Sequence, residues 1–155
     1  TYYLDLKKIS KRKKAEIPLL KSLLEISKNK YPLLLEVKPL LKEKNLSNLI
    51  KLVKKIKNYK IISFKEKNLQ RLYRLKKNLP LGLLFKSTAS IKIIKLKSKK
   101  KYVKFLVLEK KYLSERKIKK IKKEVYYYTI KNKKIYNKYK NKKNLVFENF
   151  WSKDI

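Results

Sequence analysis

The sequence predicts an α/β protein built from repeated strand–helix units, and three observations carry that prediction. Short apolar runs rich in β-branched or aromatic residues begin near residues 33, 60, 81, 104, 125 and 145. Their spacing of roughly 20 to 27 residues is what one strand and one returning helix consume. Amphipathic stretches of helical period lie between most of these runs. Finally, the chain holds one glycine, Gly82, so it cannot form the glycine-rich phosphate-binding turn usual in a doubly wound open sheet. The architecture preferred is therefore a partial (β/α)8 barrel of TIM type, a single domain with about six parallel strands and intervening helices.

Taken in order, residues 1–10 (TYYLDLKKIS) place Tyr3, Leu6 and Lys7 at helical spacing and predict a short helix, followed by a basic connector over 10–16. From Ile17, IPLLKSLLEIS has Pro18 at a first-turn position and Leu20, Leu23, Leu24 and Ser27 on one face, a helix ending near Asn29. Residues 33–38 read as a strand. Residues 45–57 line up Leu46, Leu49, Ile50, Val53 and Ile56 in one helical stripe. Strand 60–64 precedes a helix over 65–78 carrying Leu69, Leu72, Tyr73 and Lys76, and 81–85 is strand again. Residues 87–101 are the least readable, either a basic connector or a short helix around 91–96. Strand 104–108, a basic helix over 114–122, strand 125–130, a short helix over 133–140 and a last strand at 145–147 complete the series.

Apolar residues make up 43% of the chain and charged residues 37%, enough hydrophobicity for a globular core. The absence of cysteine excludes disulfides, a thiolate nucleophile and cysteine metal sites. The absence of histidine removes the commonest general acid–base and the commonest metal ligand. A net charge of +36, from 47 basic against 11 acidic residues, raises nucleic acid or an anionic membrane surface as a partner. Only four of the basic residues are arginine, the residue favoured for bidentate phosphate and base contacts. One glycine and two alanines beside abundant Lys, Ile, Asn, Leu and Tyr suggest a genome rich in A and T, which fills solvent-facing positions with lysine. That reading is preferred over selected nucleic-acid binding, and an anionic membrane surface stays as an alternative partner. The longest apolar runs, such as 79–85, fall far short of the ~20 residues a membrane helix needs. The sequence opens on Thr1 with nothing resembling a signal peptide, so an internal or processed piece of a cytoplasmic or membrane-associated protein is expected.

The stretch 31–39 (YPLLLEVKP) holds the chemistry. Side chains alternate along a strand, so Leu34, Glu36 and Lys38 share one face and Leu33, Leu35 and Val37 the other, with about 7 Å between like-facing neighbours. Apolar residues on both faces predict a strand buried on both. A carboxylate and an ammonium at its carboxyl end sit where barrels place their reactions, and a salt bridge on the rim is the alternative.

In order along the chain, YLDLKKIS, IPLLKSLLEISK, LLLEVKP, KIISFKEKNLQRLYRLKKNLPLGLLF, VYYYTIKN and NLVFENF resemble consecutive segments of the glycerophosphodiester phosphodiesterases, TIM-barrel phosphodiester hydrolases. Each segment is short and mostly apolar; their order and spacing carry the likeness. The resemblance implies that Glu36 ligates a divalent cation, Mg or Ca, and that Lys38 contacts the phosphate of a small-molecule glycerophosphodiester. Such a cation would act as a Lewis acid on a phosphoryl oxygen while the ammonium neutralises growing charge. Ser63 and Phe64 match a Ser-Phe pair beside the family's site, with rim packing as the other reading. Tyr128, followed by Thr129, stands where the family usually has a Trp beside the substrate, with core and rim packing, the commoner role of a cluster of three tyrosines, as the other reading.

The departures are equally specific. The family's H-R-G and H-D histidines and its E-x-D ligands have no counterpart here, Asn149 replaces a family Asp, and Phe150 and Trp151 lie where its Pro is expected. The resemblance thus implies that residues 1–155 are the carboxyl-terminal part of a longer hydrolase, inactive alone, in which roughly 80–100 residues complete a barrel of about 250. Alternatives are a polybasic module for RNA or anionic membranes and a catalytically dead relative.

Overall fold

The computed structural model describes residues 19–27 and 30–150; the helix expected over 1–10, the connector after it, Pro18, Asn29 and Trp151 lie outside them. Six strands form one sheet in sequence order: β1 (Leu33–Glu36), β2 (Tyr59–Ser63), β3 (Leu81–Phe85), β4 (Phe105–Glu109), β5 (Val125–Ile130) and β6 (Asn144–Phe147). Every neighbouring pair is parallel, so each connection crosses back over one face and carries a helix. These are α1 (Leu20–Ser27) before β1, then α2 (Glu43–Val53), α3 (Glu66–Leu75), α4 (Ile91–Ser98), the single turn α5 (Arg116–Lys119) and α6 (Lys133–Tyr139).

The sheet curls. Leu33 and Leu34 of β1 line a cavity of about 520 Å³ together with Leu145, Val146 and Phe147 of β6, although four strands separate these edges. Two apolar layers follow from the curl. Outside, Leu46, Ile50 and Val53 of α2 and Leu69 and Leu72 of α3 pack against Ile61, Leu81, Leu83, Leu106 and Leu108. Inside, Ile62, Leu84, Phe105 and Val107 form a smaller cluster with Phe64, Tyr126 and Tyr128 against it. This is the wall of a TIM-type barrel with six strands.

The predicted stripe of α2 is confirmed, although Ile56 is buried in the turn beyond the helix end. In α1, Ser27 is buried but Leu23 is 44% exposed, against the expectation that both face inward. The unreadable stretch resolves into α4, capped by Ser90, whose side chain accepts from the Ile93 amide. The basic helix expected over 114–122 is instead a 3-10 turn (Lys110–Ser114) followed by α5. Ile118 is the buried residue of α5, too little apolar surface to hold a longer helix.

β1 departs from its expected double burial. As an edge strand it exposes Leu34 to 37%, and Glu36 is also exposed, while Val37 beyond it joins the helix-side core.

Candidate functional site

The interior of the curled sheet has two unlike ends. At the amino end Lys60 pairs with Glu124, and its ammonium lies 4.9 Å from the ring centres of both Phe105 and Tyr126; Lys60 and Tyr126 also line the cavity of about 520 Å³ between β1 and β6. The residues singled out from the sequence lie at the carboxyl ends.

There, strand alternation puts Glu36 on the concave side, since Leu35 and Val37 pack under the helices. Lys38 lies two residues on, past the end of β1, and is exposed; neither side chain makes an ion pair or hydrogen bond among the described residues. From β5, Tyr128 donates its hydroxyl to the Phe85 carbonyl at 3.0 Å and meets Phe64 edge-on, with ring centres 6.2 Å apart. The Tyr128 hydroxyl is pushed up to about 12, first by burial and then by the negative fields of Glu109 and Glu36. Glu36 on β1 and Tyr128 on β5 feel each other only because the sheet bends. Curvature thus brings together three of the residues singled out from the sequence, Glu36, Phe64 and Tyr128, with Lys38 on the same rim.

Ser63 is corrected. It is fully buried, donates to the Val37 carbonyl at 2.6 Å and accepts from the Lys65 amide at 3.0 Å. One residue before Phe64, it points to the other face, where it anchors the chain instead of lining a substrate wall. Asn149 is exposed with φ 70°, a conformation asparagine tolerates. Phe150 stacks on Phe147 at 5.0 Å.

Three residues escaped the sequence reading. Glu109 ends β4 directly beside Tyr128 in the strand register. Hydrogen bonds from Ser87 hold its carboxyl below the usual range, helped by Lys111 and Lys110, and the Ser87 amide lies 2.6 Å from it. Its signal was available, as the last residue of the run FLVLE. Lys86, just past β3, holds its ammonium 5.9 Å from the centre of the Phe64 ring. Asn68, fully buried in α3, donates to the Pro39 carbonyl at 2.7 Å and accepts from the Leu41 amide at 3.0 Å. It fixes the loop that carries Lys38, and as the third residue of α3 it carried no local signal of that role.

Among the described residues no three acidic or other metal-binding side chains gather into a cation site. Glu36 fits as one oxygen ligand of a hard cation, which takes six or more; the described residues do not complete the set.

No protein-family model matches the sequence, and no curated protein matches it. Solved structures do. A phosphodiesterase from Oleispira antarctica, in complex with its product sn-glycerol-3-phosphate, superposes with a TM-score of 0.69 at 22% identity, covering 84% of this chain and 57% of that one. Glycerophosphodiester phosphodiesterases from Parabacteroides distasonis (TM-score 0.67, 17% identity, 86% and 60% covered) and Agrobacterium tumefaciens (0.63, 12%, 86% and 59%) are similar. The likeness at these identities is one of fold, and the chain spans less than two thirds of each of these three structures.

Proposed function

We propose that this chain is the carboxyl-terminal part of a metal-dependent phosphodiester hydrolase that cleaves glycerophosphodiesters to glycerol 3-phosphate and an alcohol. One observation carries the reading. Glu36, at the carboxyl end of β1, is near enough to Tyr128 for its negative field to act on that hydroxyl, and Tyr128 meets Phe64 edge-on, in a fold shared with such hydrolases; Lys38 follows two residues after Glu36. The likeness to an enzyme holding sn-glycerol-3-phosphate supports a substrate of that size and charge.

Glu36 would be one ligand of a Mg- or Ca-class cation, whose contribution when bound is Lewis-acid stabilisation of a phosphoryl oxygen. The remaining ligands, and the proton-transferring groups that a histidine-free chain lacks, would come from the rest of the parent protein. Lys38 places an ammonium beside the phosphate and offsets charge that grows as the ester is attacked. Tyr128, protonated at neutral pH and bonded to the Phe85 carbonyl, serves as a wall, with Phe64 excluding water beside it.

The test uses the longer protein that this reading requires, assayed for glycerophosphocholine hydrolysis. Glu36→Gln should lower kcat about 100-fold or more, equivalent to ~2.7 kcal/mol of transition-state stabilisation. An active parent in which Glu36→Gln turns over normally would remove Glu36 from the site.

A further inference from the structure

At the amino ends of β5 and β6, opposite the candidate site, lies a cavity of about 410 Å³. Two loops face each other across it, one running from α5 into β5 and the other from α6 into β6. Its floor is apolar, with Ile118 and Tyr127 nearly fully buried. Its walls carry Lys119, Lys123, Lys140, Lys142 and Lys143, and no carboxylate lines it. The surrounding segment, residues 116–143, has 13 basic side chains against one acidic, Glu124, and Glu124 is neutralised by Lys60.

Two of the lysines are held in place. Lys123 donates to the Val103 carbonyl, and Lys143 lies over the Tyr127 ring at 5.5 Å. Burial and the nearby Lys104 lower the Lys123 ammonium, so it is a charge kept in company with like charge. Asn141 and Asn144 add amide groups to the same rim. Five lysines around one apolar-floored concavity, with no carboxylate in its lining, are complementary to a multiply charged phosphate group, although the Lys123 and Lys140 ammonium groups rest on the Val103 carbonyl and over the Tyr136 ring. A generic lysine-coated surface does not concentrate them in a concavity.

We infer that this amino-end cavity binds phosphate monoesters or polyphosphates, independently of any hydrolysis at the opposite face. The same chemistry could reach it as a free phosphate compound or as a phosphomonoester headgroup on a lipid surface.

The test compares the chain with two triple variants of equal charge loss, all at exposed positions. One is Lys119→Ser, Lys140→Ser and Lys142→Ser in the cavity; the other is Lys44→Ser, Lys51→Ser and Lys54→Ser on and after α2. Calorimetric titration with pyrophosphate at 0.15 M salt should show saturable binding, weakened about 10-fold or more in the cavity variant and less than twofold in the control. Cosedimentation with phosphatidylcholine vesicles with or without phosphatidic acid separates the sources. Binding to pyrophosphate alone identifies a free phosphate ligand, and binding only to phosphatidic acid vesicles identifies a lipid headgroup. Equal losses in both variants, or no binding by the unaltered chain in either arm, overturn the inference.

Discussion

Gly82 lies under the ring of Phe105, where an added Cβ would come within 2.3 Å of a ring carbon. A lone glycine inside a fully buried strand marks such a close approach. Gly82→Ala should therefore destabilise the chain by about 1–3 kcal/mol in urea unfolding, and Phe105→Leu in the same chain should recover part of the loss. An unchanged midpoint for Gly82→Ala would mean that the ring sits elsewhere. Tyr128 gives a second expectation. Its folded-state ionisation lies near 12 against an ordinary value of 10. The stability it confers is then complete below pH 10 and lost as pH rises from 10 towards 12, because the unfolded chain releases the proton first. Stability measured across that window should fall less steeply in Tyr128→Phe than in the parent chain. Glu36→Gln and Glu109→Gln, by removing the negative fields, should lower the tyrosine titration midpoint followed by ultraviolet absorbance. Glu36 was singled out by strand parity at a strand's carboxyl end, Phe64 and Tyr128 by the resemblance of their segments. Ser63, read as either wall or rim packing, is buried on the face opposite Phe64 as the same parity requires, and Glu109 was lost by ending its strand one residue early.

A polar knot joins β1, β2 and α3 and positions the loop that leads away from Glu36. Asn68 bridges Pro39 and Leu41, Ser63 holds Val37, and Arg71 donates to the Leu41 carbonyl at 2.5 Å. Asn68→Ala would remove its bonds to the part-buried Leu41 amide and Pro39 carbonyl, at a cost of about 1–2 kcal/mol. Hydrogen exchange should accelerate at Leu41 specifically; protection unaltered there, despite a lowered unfolding midpoint, would assign Asn68 a packing role only. The six strands could be read from the sequence because each is a short apolar run bounded by polar residues, and β3 and β5 match their expected limits. The helices were readable in proportion to their amphipathicity. In α2 and α3 the buried residues recur at helical spacing, whereas α4 buries Ile94 but exposes Ile93 and Leu96, so its pattern has no clean face. Side-chain-to-loop bonds such as those of Asn68 link positions 27 and 29 residues apart, a range at which periodicity is silent.

At the scale of the molecule, unpaired strand edges and a large positive charge act against each other. Among the described residues β1 and β6 are the two ends of the sheet, and strand edges left unpaired are templates for pairing with another chain. The curvature that brings them round one cavity was expected from the barrel reading, but no residue pattern could give its degree, since the twist accumulates over all six strands. A net charge of +36 opposes association between copies and also strains each compact chain by self-repulsion. The four ion pairs between described residues involve side chains that are 22–73% exposed, and exposed pairs contribute about 0–1 kcal/mol each. Salt should therefore relieve more repulsion than attraction. Raising NaCl from 20 to 500 mM shortens the screening length from about 20 Å to about 4 Å and should raise Tm by about 2–4 °C for each kcal/mol of repulsion removed. The same screening should expose the edge problem, so sedimentation should show monomer at low salt giving way to larger species as salt rises. A Tm that falls with salt would mean that the ion pairs outweigh the repulsion. Association already complete at 20 mM would show that strand-edge pairing overcomes the charge.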